Sequence, residues 1–360
     1  MKRILHCFNG LDNGGVEAFV MSVYRNIDRN KYQFDFLLRN ENRTHYWDEI
    51  ENMGGKIFVM PPYPKKAISN YIDTKKFLEE HSEYDTVHVH ANSLFYVSVL
   101  KIATKLNVKN VIIHSHNSCS QNKIVRIIHN HNKKKINRIS NVQLACSDLA
   151  GKWMFNTSYK VIHNGIITDK FKYNEEIRNK LRDELNINDR FVIGHIGRFV
   201  EAKNHSFILD IFKNYSEKNP KATLVLVGFG PLKDTIVNKV CNLELSDKVI
   251  ILTDRNDPYN LLQTFDLFLF PSLYEGLPIS LVEAQCSGLP CLCSNEIDKR
   301  SFINPNVCSF GLNNSVEDWA SKIDELKSLD FDRANGKSLV KKSGFDIATT
   351  CNELIDIYNR

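Results

Sequence analysis

Short apolar runs alternate with amphipathic stretches along the whole chain. Residues 3–8, Tyr32–Leu38 (YQFDFLL), Lys56–Met60 (KIFVM), Thr86–His90 (TVHVH), Asn110–His114 (NVIIH) and Asn141–Ala145 (NVQLA) have the length and content of strands. A second series follows at Phe191–Ile196, Ala222–Val227, Lys248–Leu252, Leu267–Phe270 and Pro290–Cys293. Helical spacing appears between them. Val16, Phe19, Val20, Val23, Tyr24 and Ile27 share one face, as do Phe207, Ile208, Ile211 and Phe212, and a third stripe begins at Ile279 with Leu281, Val282 and Ala284. Asp73–Glu80, Leu94–Thr104 and Asp346–Tyr358 also read as helices. This alternation predicts an α/β fold of doubly wound parallel sheets. At 360 residues the chain exceeds what one core usually organises. A turn at His163-Asn164-Gly165 opens a polar run to Asn188, which divides the chain into domains 1–165 and 166–345. The last helix, about 346–360, is free to pack back on the first domain.

In such sheets ligands gather beyond the carboxyl ends of the strands, and chemistry-bearing residues fall there. The first strand runs into Gly10 and Gly14-Gly15, a turn in which a ligand can approach the backbone, without the spacing of a dinucleotide fingerprint. Three histidines, His90, His114 and His116, stand at neighbouring strand ends. Gly197-Arg198 and then Lys203-Asn204 place two cations at a strand–loop–helix junction suited to a diphosphate. Gly228-Phe229-Gly230 follows the next strand, and Arg255 with Asp257 the one after. The stretch Phe270–Pro290 (FPSLYEGLPISLVEAQCSGLP) is strand, loop and helix, with Glu275 in the loop and Glu283 in the first helical turn. Ser280-x-x-Glu283 also has the form of a capping box, which explains Glu283 with no ligand at all; Glu275 has no such explanation.

Charge separates the halves. The net +5 divides into 23 Lys and Arg against 14 Asp and Glu in residues 1–165, and 24 against 28 in the remainder. The 62 positions from Thr86 to Ser147 contain no acid. Within them Asn122–Ile139 reads as one basic amphipathic helix, with Ile124, Ile127, Ile128, Ile136 and Ile139 as its apolar side. That pattern suits an anionic membrane surface; a merely solvated basic face is the alternative. No motif supports nucleic acid. Nine scattered cysteines without a C-x-x-C pair fit a reduced, cytosolic protein, and no apolar run approaches the ~20 residues of a membrane span. A zinc cluster of the three histidines lacks the usual ligand spacing. Asp330-Phe331-Asp332 has the D-x-D form of some metal-holding sugar transferases, but its polar setting reads as a turn or helix cap.

Taken together, Gly197-Arg198, Lys203-Asn204, Gly228-Phe229-Gly230 and Glu275 with Glu283 resemble the retaining GT-B glycosyltransferases of family four. The bacterial capsule, exopolysaccharide and O-antigen enzymes resemble it further through NGLDNGGVE (Asn9–Glu17), HSHNS (His114–Ser118), ACSDLAGKW (Ala145–Trp153) and VIHNGI (Val161–Ile166). The likeness spans residues 3–300 and departs at Glu201-Ala202 and Thr253. It implies two Rossmann-like domains facing a central cleft, a UDP-sugar donor, no metal, and a lipid-diphosphate-linked glycan as acceptor. Arg198 and Lys203 then hold the diphosphate, Glu283 the ribose, and Glu275 the transferred sugar beside the backbone of Gly276, Leu277, Pro278, Ile279, Ser280 and Leu281. Gly15 lines the diphosphate and acceptor side, one of His114 and His116 lies near the sugar, with His116 preferred, and Arg255 meets the base. Such an enzyme works at the inner face of the cell membrane. A sugar-nucleotide 2-epimerase and a non-catalytic partner subunit share the same two-domain plan.

Overall fold

A computed structural model describes every residue except Asn13, Gly276 and Asp330. The chain forms two compact units, residues 1–165 with 347–360, and residues 166–346. In the first unit seven parallel strands, β1 (Lys2–Cys7), β2 (Tyr32–Leu38), β3 (Ile57–Val59), β4 (Thr86–Ala91), β5 (Asn110–Ser115), β6 (Val142–Ala145) and β7 (Lys160–Val161), line up in the order β3-β2-β1-β4-β5-β6-β7. The second unit holds β8 (Phe191–Ile196), β9 (Ala222–Val227), β10 (Val249–Leu252), β11 (Leu267–Phe270), β12 (Cys291–Ser294) and β13 (Val307–Phe310), ordered β10-β9-β8-β11-β12-β13. Both are doubly wound sheets of the expected class, and in each the order reverses beside the first strand. The switch points, β1/β4 and β8/β11, are where such sheets open for ligands.

The strands form because both of their faces are covered. In β4, Val87 and Val89 face one side and His88 and His90 the other, yet all four are buried. Alternation of this kind ordinarily marks a solvated face. Here the polar face is filled by a ladder of imidazoles. His6 Nδ1 lies 2.9 Å from His90 Nε2, His90 Nδ1 lies 2.9 Å from His116 Nε2, and His88 Nε2 lies 3.3 Å from His114 Nδ1. Burial holds all five well below the usual imidazole range, His6 and His116 at about 3. The C-terminal helix Ile347–Tyr358 closes this unit, with the Tyr358 hydroxyl 3.0 Å from His88 Nδ1 and the Lys2 ammonium donating to the Tyr358 carbonyl.

Several expectations need correction. The polar run after Gly165 is helical, Thr168–Phe171 and then Glu175–Glu184, the second capped by Asn174. Its Arg178 and Arg182 reach Asp266 just before β11, so the charges there are structural. The sheet continues past Cys293 to the half-exposed edge strand β13, whose residues do not alternate clearly enough to be read. The basic stretch is not one helix. It is helical over Lys123–Lys133, breaks, and resumes as the single turn Ile136–Arg138. Of Asp330-Phe331-Asp332, the first member lies outside the described residues.

Candidate nucleotide-sugar site and acceptor-side surfaces

At the switch point of the second unit, the loops that follow β8 and β11 are tied together. The Leu273 N–H donates to the Ala202 carbonyl at 2.8 Å, and Asn204 Nδ2 donates to the Pro271 carbonyl at 3.1 Å. Asn204 is left-handed (φ 56°, ψ 42°), which turns the chain sharply into the helix His205–Lys218. That turn brings the Lys203 ammonium 2.6 Å from the Glu275 carboxylate and 4.6 Å from the Phe270 ring centroid. Both members of the pair are only 16% exposed. A cation and a carboxylate from loops far apart in sequence thus meet in one largely buried ion pair.

Glycines make the approach possible. A side chain at Gly197 would start 3.2 Å from the Lys203 stem. Gly228 (φ 153°) and Gly230 (φ 154°) adopt backbone that side chains rarely take. A Cβ at Gly228 would lie 2.0 Å from the Gly197 carbonyl oxygen, and one at Gly230 2.5 Å from that of Phe199. Arg198 is exposed, its guanidinium 6.0 Å from the Phe229 ring and without a carboxylate partner among the described residues.

The helix Ile279–Cys286 begins after Pro278 without a side-chain cap, so the capping box expected from Ser280 and Glu283 is absent. The first backbone N–H groups of this helix are left for solvent or an anion. Glu283 stands two residues further into the helix than a Ser280 cap would place it. Its carboxyl is half-buried and has no hydrogen-bond partner among the described residues, and burial pushes it up to about 8. Around it, Pro278 and Leu281 are buried, while Leu277, Ile279 and Ser280 are half-buried. Leu281 belongs to the core, and its N–H already donates to the Pro278 carbonyl at 3.1 Å, so the free amides among the described residues are those of Ile279 and Ser280. Gly276 lies outside the described residues. Arg255 is engaged elsewhere, with two 2.6 Å bonds to Asp257.

Two residues of this site were not anticipated. His195 and His205 lie under Lys203, ring centroids 4.8 Å apart. His195 Nδ1 sits 2.9 Å from the Leu269 carbonyl oxygen, and both nitrogens of His205 lack partners among the described residues. Burial keeps both neutral, His205 at about 4, with the nearby Lys203 charge acting in the same direction. Their position next to Gly197 and Lys203 in sequence was the available signal.

In the first unit Gly15 opens the helix Gly15–Asn26, and a Cβ there would meet nothing within 4 Å. The carboxylate of Glu17 turns back toward the N–H groups of Gly14 and of its own residue, half of a capping box. Asn13, in the same turn, lies outside the described residues. His114 is fully buried inside β5, whereas His116 is half-buried beyond its end. The helix Lys123–Lys133 is inverted. Its polar His129 and Asn132 point inward, where His129 Nδ1 accepts from the Leu94 N–H at 3.0 Å and Asn132 donates to the Leu94 carbonyl at 2.8 Å. Ile124 and Ile127 point outward, 67% and 70% exposed, among exposed Lys123 and Arg126.

Known proteins share this architecture. Residues 13–170 match the family model described as Glycosyltransferase Family 4, and residues 177–339 match Glycosyl transferases group 1. EpsF of Bacillus subtilis (strain 168), which carries the description of a glycosyltransferase, is 31% identical over 99% of this chain and 96% of its own. This chain belongs to the glycosyltransferases. An Escherichia coli UDP-Gal:alpha-D-GlcNAc-diphosphoundecaprenol alpha-1,3-galactosyltransferase is 25% identical over 96% of this chain and 93% of its own. Among solved structures, Anabaena Alr3699/HepE in complex with UDP-glucose superposes with a TM-score of 0.77 at 19% identity, covering both chains completely. The fold is therefore GT-B, as the motifs implied. No helix among the described residues is long and apolar enough to cross a membrane.

Proposed function

We propose that this glycosyltransferase moves a hexose or N-acetylhexosamine from a UDP-sugar to a lipid-diphosphate-linked glycan, with retention of configuration and without a metal. The observation that carries the reading is the Lys203–Glu275 pair, 2.6 Å apart beside an uncapped helix start at the sheet's switch point. The galactosyltransferase relative acts on a diphosphoundecaprenol-linked sugar, and the HepE structure holds UDP-glucose, which fits donor and acceptor of these classes.

The chemistry follows from charge. A departing nucleoside diphosphate develops negative charge that something must neutralise. Lys203 and the exposed Arg198 supply cations, and the amide groups at the start of Ile279–Cys286 supply oriented dipoles. Without donor, Glu275 holds the Lys203 ammonium; with donor, the ammonium turns to the diphosphate and the carboxylate is released to accept from a sugar hydroxyl. Glu283, with its oxygens unpartnered, takes the ribose hydroxyls. His116, nearer the surface than His114, faces the sugar. No covalent nucleophile is needed if the leaving group itself assists transfer on the same face.

The inverted basic helix docks the enzyme on the inner face of the membrane, isoleucines in the lipid boundary and lysines against anionic headgroups. This places it where a lipid-linked acceptor is found. Donor hydrolysis and transfer, measured for Lys203→Ala and Glu275→Ala, test the site. Removal of one such transition-state contact costs about 100- to 1000-fold in kcat. Unchanged turnover in both variants would refute the assignment, as would full loss of activity on chelation of divalent ions for the metal-free step.

A further inference from the structure

The switch point of the first unit encloses a cavity of about 280 Å³, lined by the ends of β1 and β4 and by residues that the donor chemistry leaves unused. One of them is Arg39, the residue after β2 and thus also at a strand's carboxyl end. Its backbone N–H donates to the Asn9 carbonyl at 2.9 Å, which fixes where the side chain starts. Its guanidinium lies 4.0 Å from the centroid of the Tyr96 ring. Tyr96 is itself held, donating from its hydroxyl to Asn70 at 2.8 Å, while Asn70 Nδ2 donates to the Pro61 carbonyl at 2.7 Å. Tyr63 stands 4.9 Å from Tyr96 and 5.5 Å from Phe95, so three aromatic rings wall one side of the cavity.

What Arg39 lacks is an anion. Among the described residues it forms no ion pair, and burial lowers its guanidinium pKa with no carboxylate nearby to offset this. The arginines whose pKa is displaced upward, Arg3, Arg25 and Arg255, each sit against Asp or Glu. The one carboxylate in the cavity lining, Glu17, is turned to the backbone of its own helix. A half-buried guanidinium without a counter-ion carries an unrecovered desolvation cost. Stacking on an aromatic ring recovers part of it and leaves the fork of N–H donors directed at whatever enters. A flat aromatic wall beside a bidentate cation suits a sugar ring that bears a carboxylate or phosphate.

We propose that Arg39 is the residue by which this enzyme recognises a negatively charged substituent on its acceptor sugar, the ring of that sugar lying against Tyr63, Phe95 and Tyr96. The assignment of this ligand as acceptor rests on the transferase reading above; the anion preference of the cavity does not. Titration calorimetry of the full chain with glucuronate, glucose 1-phosphate and glucose tests it without turnover. The expected result is binding of at least one charged sugar about tenfold or more tighter than glucose. Preference for glucuronate names a carboxylate as the anion, and preference for glucose 1-phosphate names a phosphate. Arg39→Met, which keeps the stem and removes the charge, is expected to abolish the preference, and Arg39→Lys to retain part of it. Equal binding of all three sugars by the wild-type chain overturns the proposal, as does a preference that persists in Arg39→Met. The wild-type comparison decides even if Arg39→Met fails to fold. Intact donor hydrolysis in Lys203→Ala would sink the donor assignment while leaving this result standing.

Discussion

Glu283 shows how one side chain can be misjudged by local pattern. Ser280 and Glu283 have the spacing of a capping box, but the helix starts at Ile279, so the Glu283 carboxyl has no partner among the described residues and burial raises its pKa to about 8. A carboxyl near 4.5 in the unfolded chain and near 8 in the fold means that the folded state holds the extra proton between those values. Stability from this site is thus full below about pH 4.5 and declines as pH rises toward 8. Glu283→Gln is expected to flatten that decline, with melting temperatures at pH 5 and pH 8 as the readout, and to weaken UDP binding at the same time. Gly228 is the second case. With φ 153° and the Gly197 carbonyl 2.0 Å from any added Cβ, Gly228→Ala must shift the Gly197–Lys203 turn. Strain of ~1–3 kcal/mol is the usual size at such positions. A lowered melting temperature with a raised KM for the donor is the expected outcome; unchanged values for both would show that the turn has slack. The glycines were legible as a motif, whereas their purpose, clearance for a neighbouring turn, required the fold.

At the scale of single elements, the helix Lys123–Lys133 carries the clearest prediction. Its exposed Ile124 and Ile127 make no contribution to the core, so Ile124→Gln with Ile127→Gln should leave the melting temperature unchanged. The same change should weaken flotation with anionic vesicles about tenfold or more, since each buried methylene is worth ~0.8 kcal/mol at a membrane. Flotation equal to wild type would leave this a solvated basic face. The amphipathic pattern was visible in sequence, but its direction was not. Periodicity reports that one stripe is apolar; it does not say whether that stripe or the opposite one meets the protein. Here His129 and Asn132 bond to Leu94, and that contact decided the matter. Most strands were easier, because buried parallel strands are mainly apolar and need no choice of face, with the histidine-bearing face of β4 as the exception. Edge strand β13 was missed for the converse reason, being only half covered.

Across the molecule, histidine burial is uneven. The first unit buries five linked imidazoles in one ladder, all held neutral. Each binds a proton near pH 6.5 once unfolded but not in the fold, so stability is full above that pH and falls as pH drops toward 3. Hydrogen exchange at pH 5 compared with pH 7.5 should therefore show protection lost first in residues 1–165 and 347–360, and later in residues 166–346. Equal loss in both units would show that the ladder adds no acid sensitivity. This arrangement marks the division between what could be read and what had to be seen. Alternation of apolar runs with amphipathic stretches, and glycines and charges at strand ends, by themselves determined two doubly wound sheets with a diphosphate-suited strand end, because those signals are local; the transferase reading came from the family that the motifs resemble. Which charges meet was decided by tertiary structure alone. Lys203 and Glu275 lie in loops after strands far apart in the chain that the sheet order makes neighbours, and Arg39 lies beyond a strand whose end says nothing of the aromatic wall it will face. Pairing across a sheet depends on strand order, and strand order is set by packing of the whole unit.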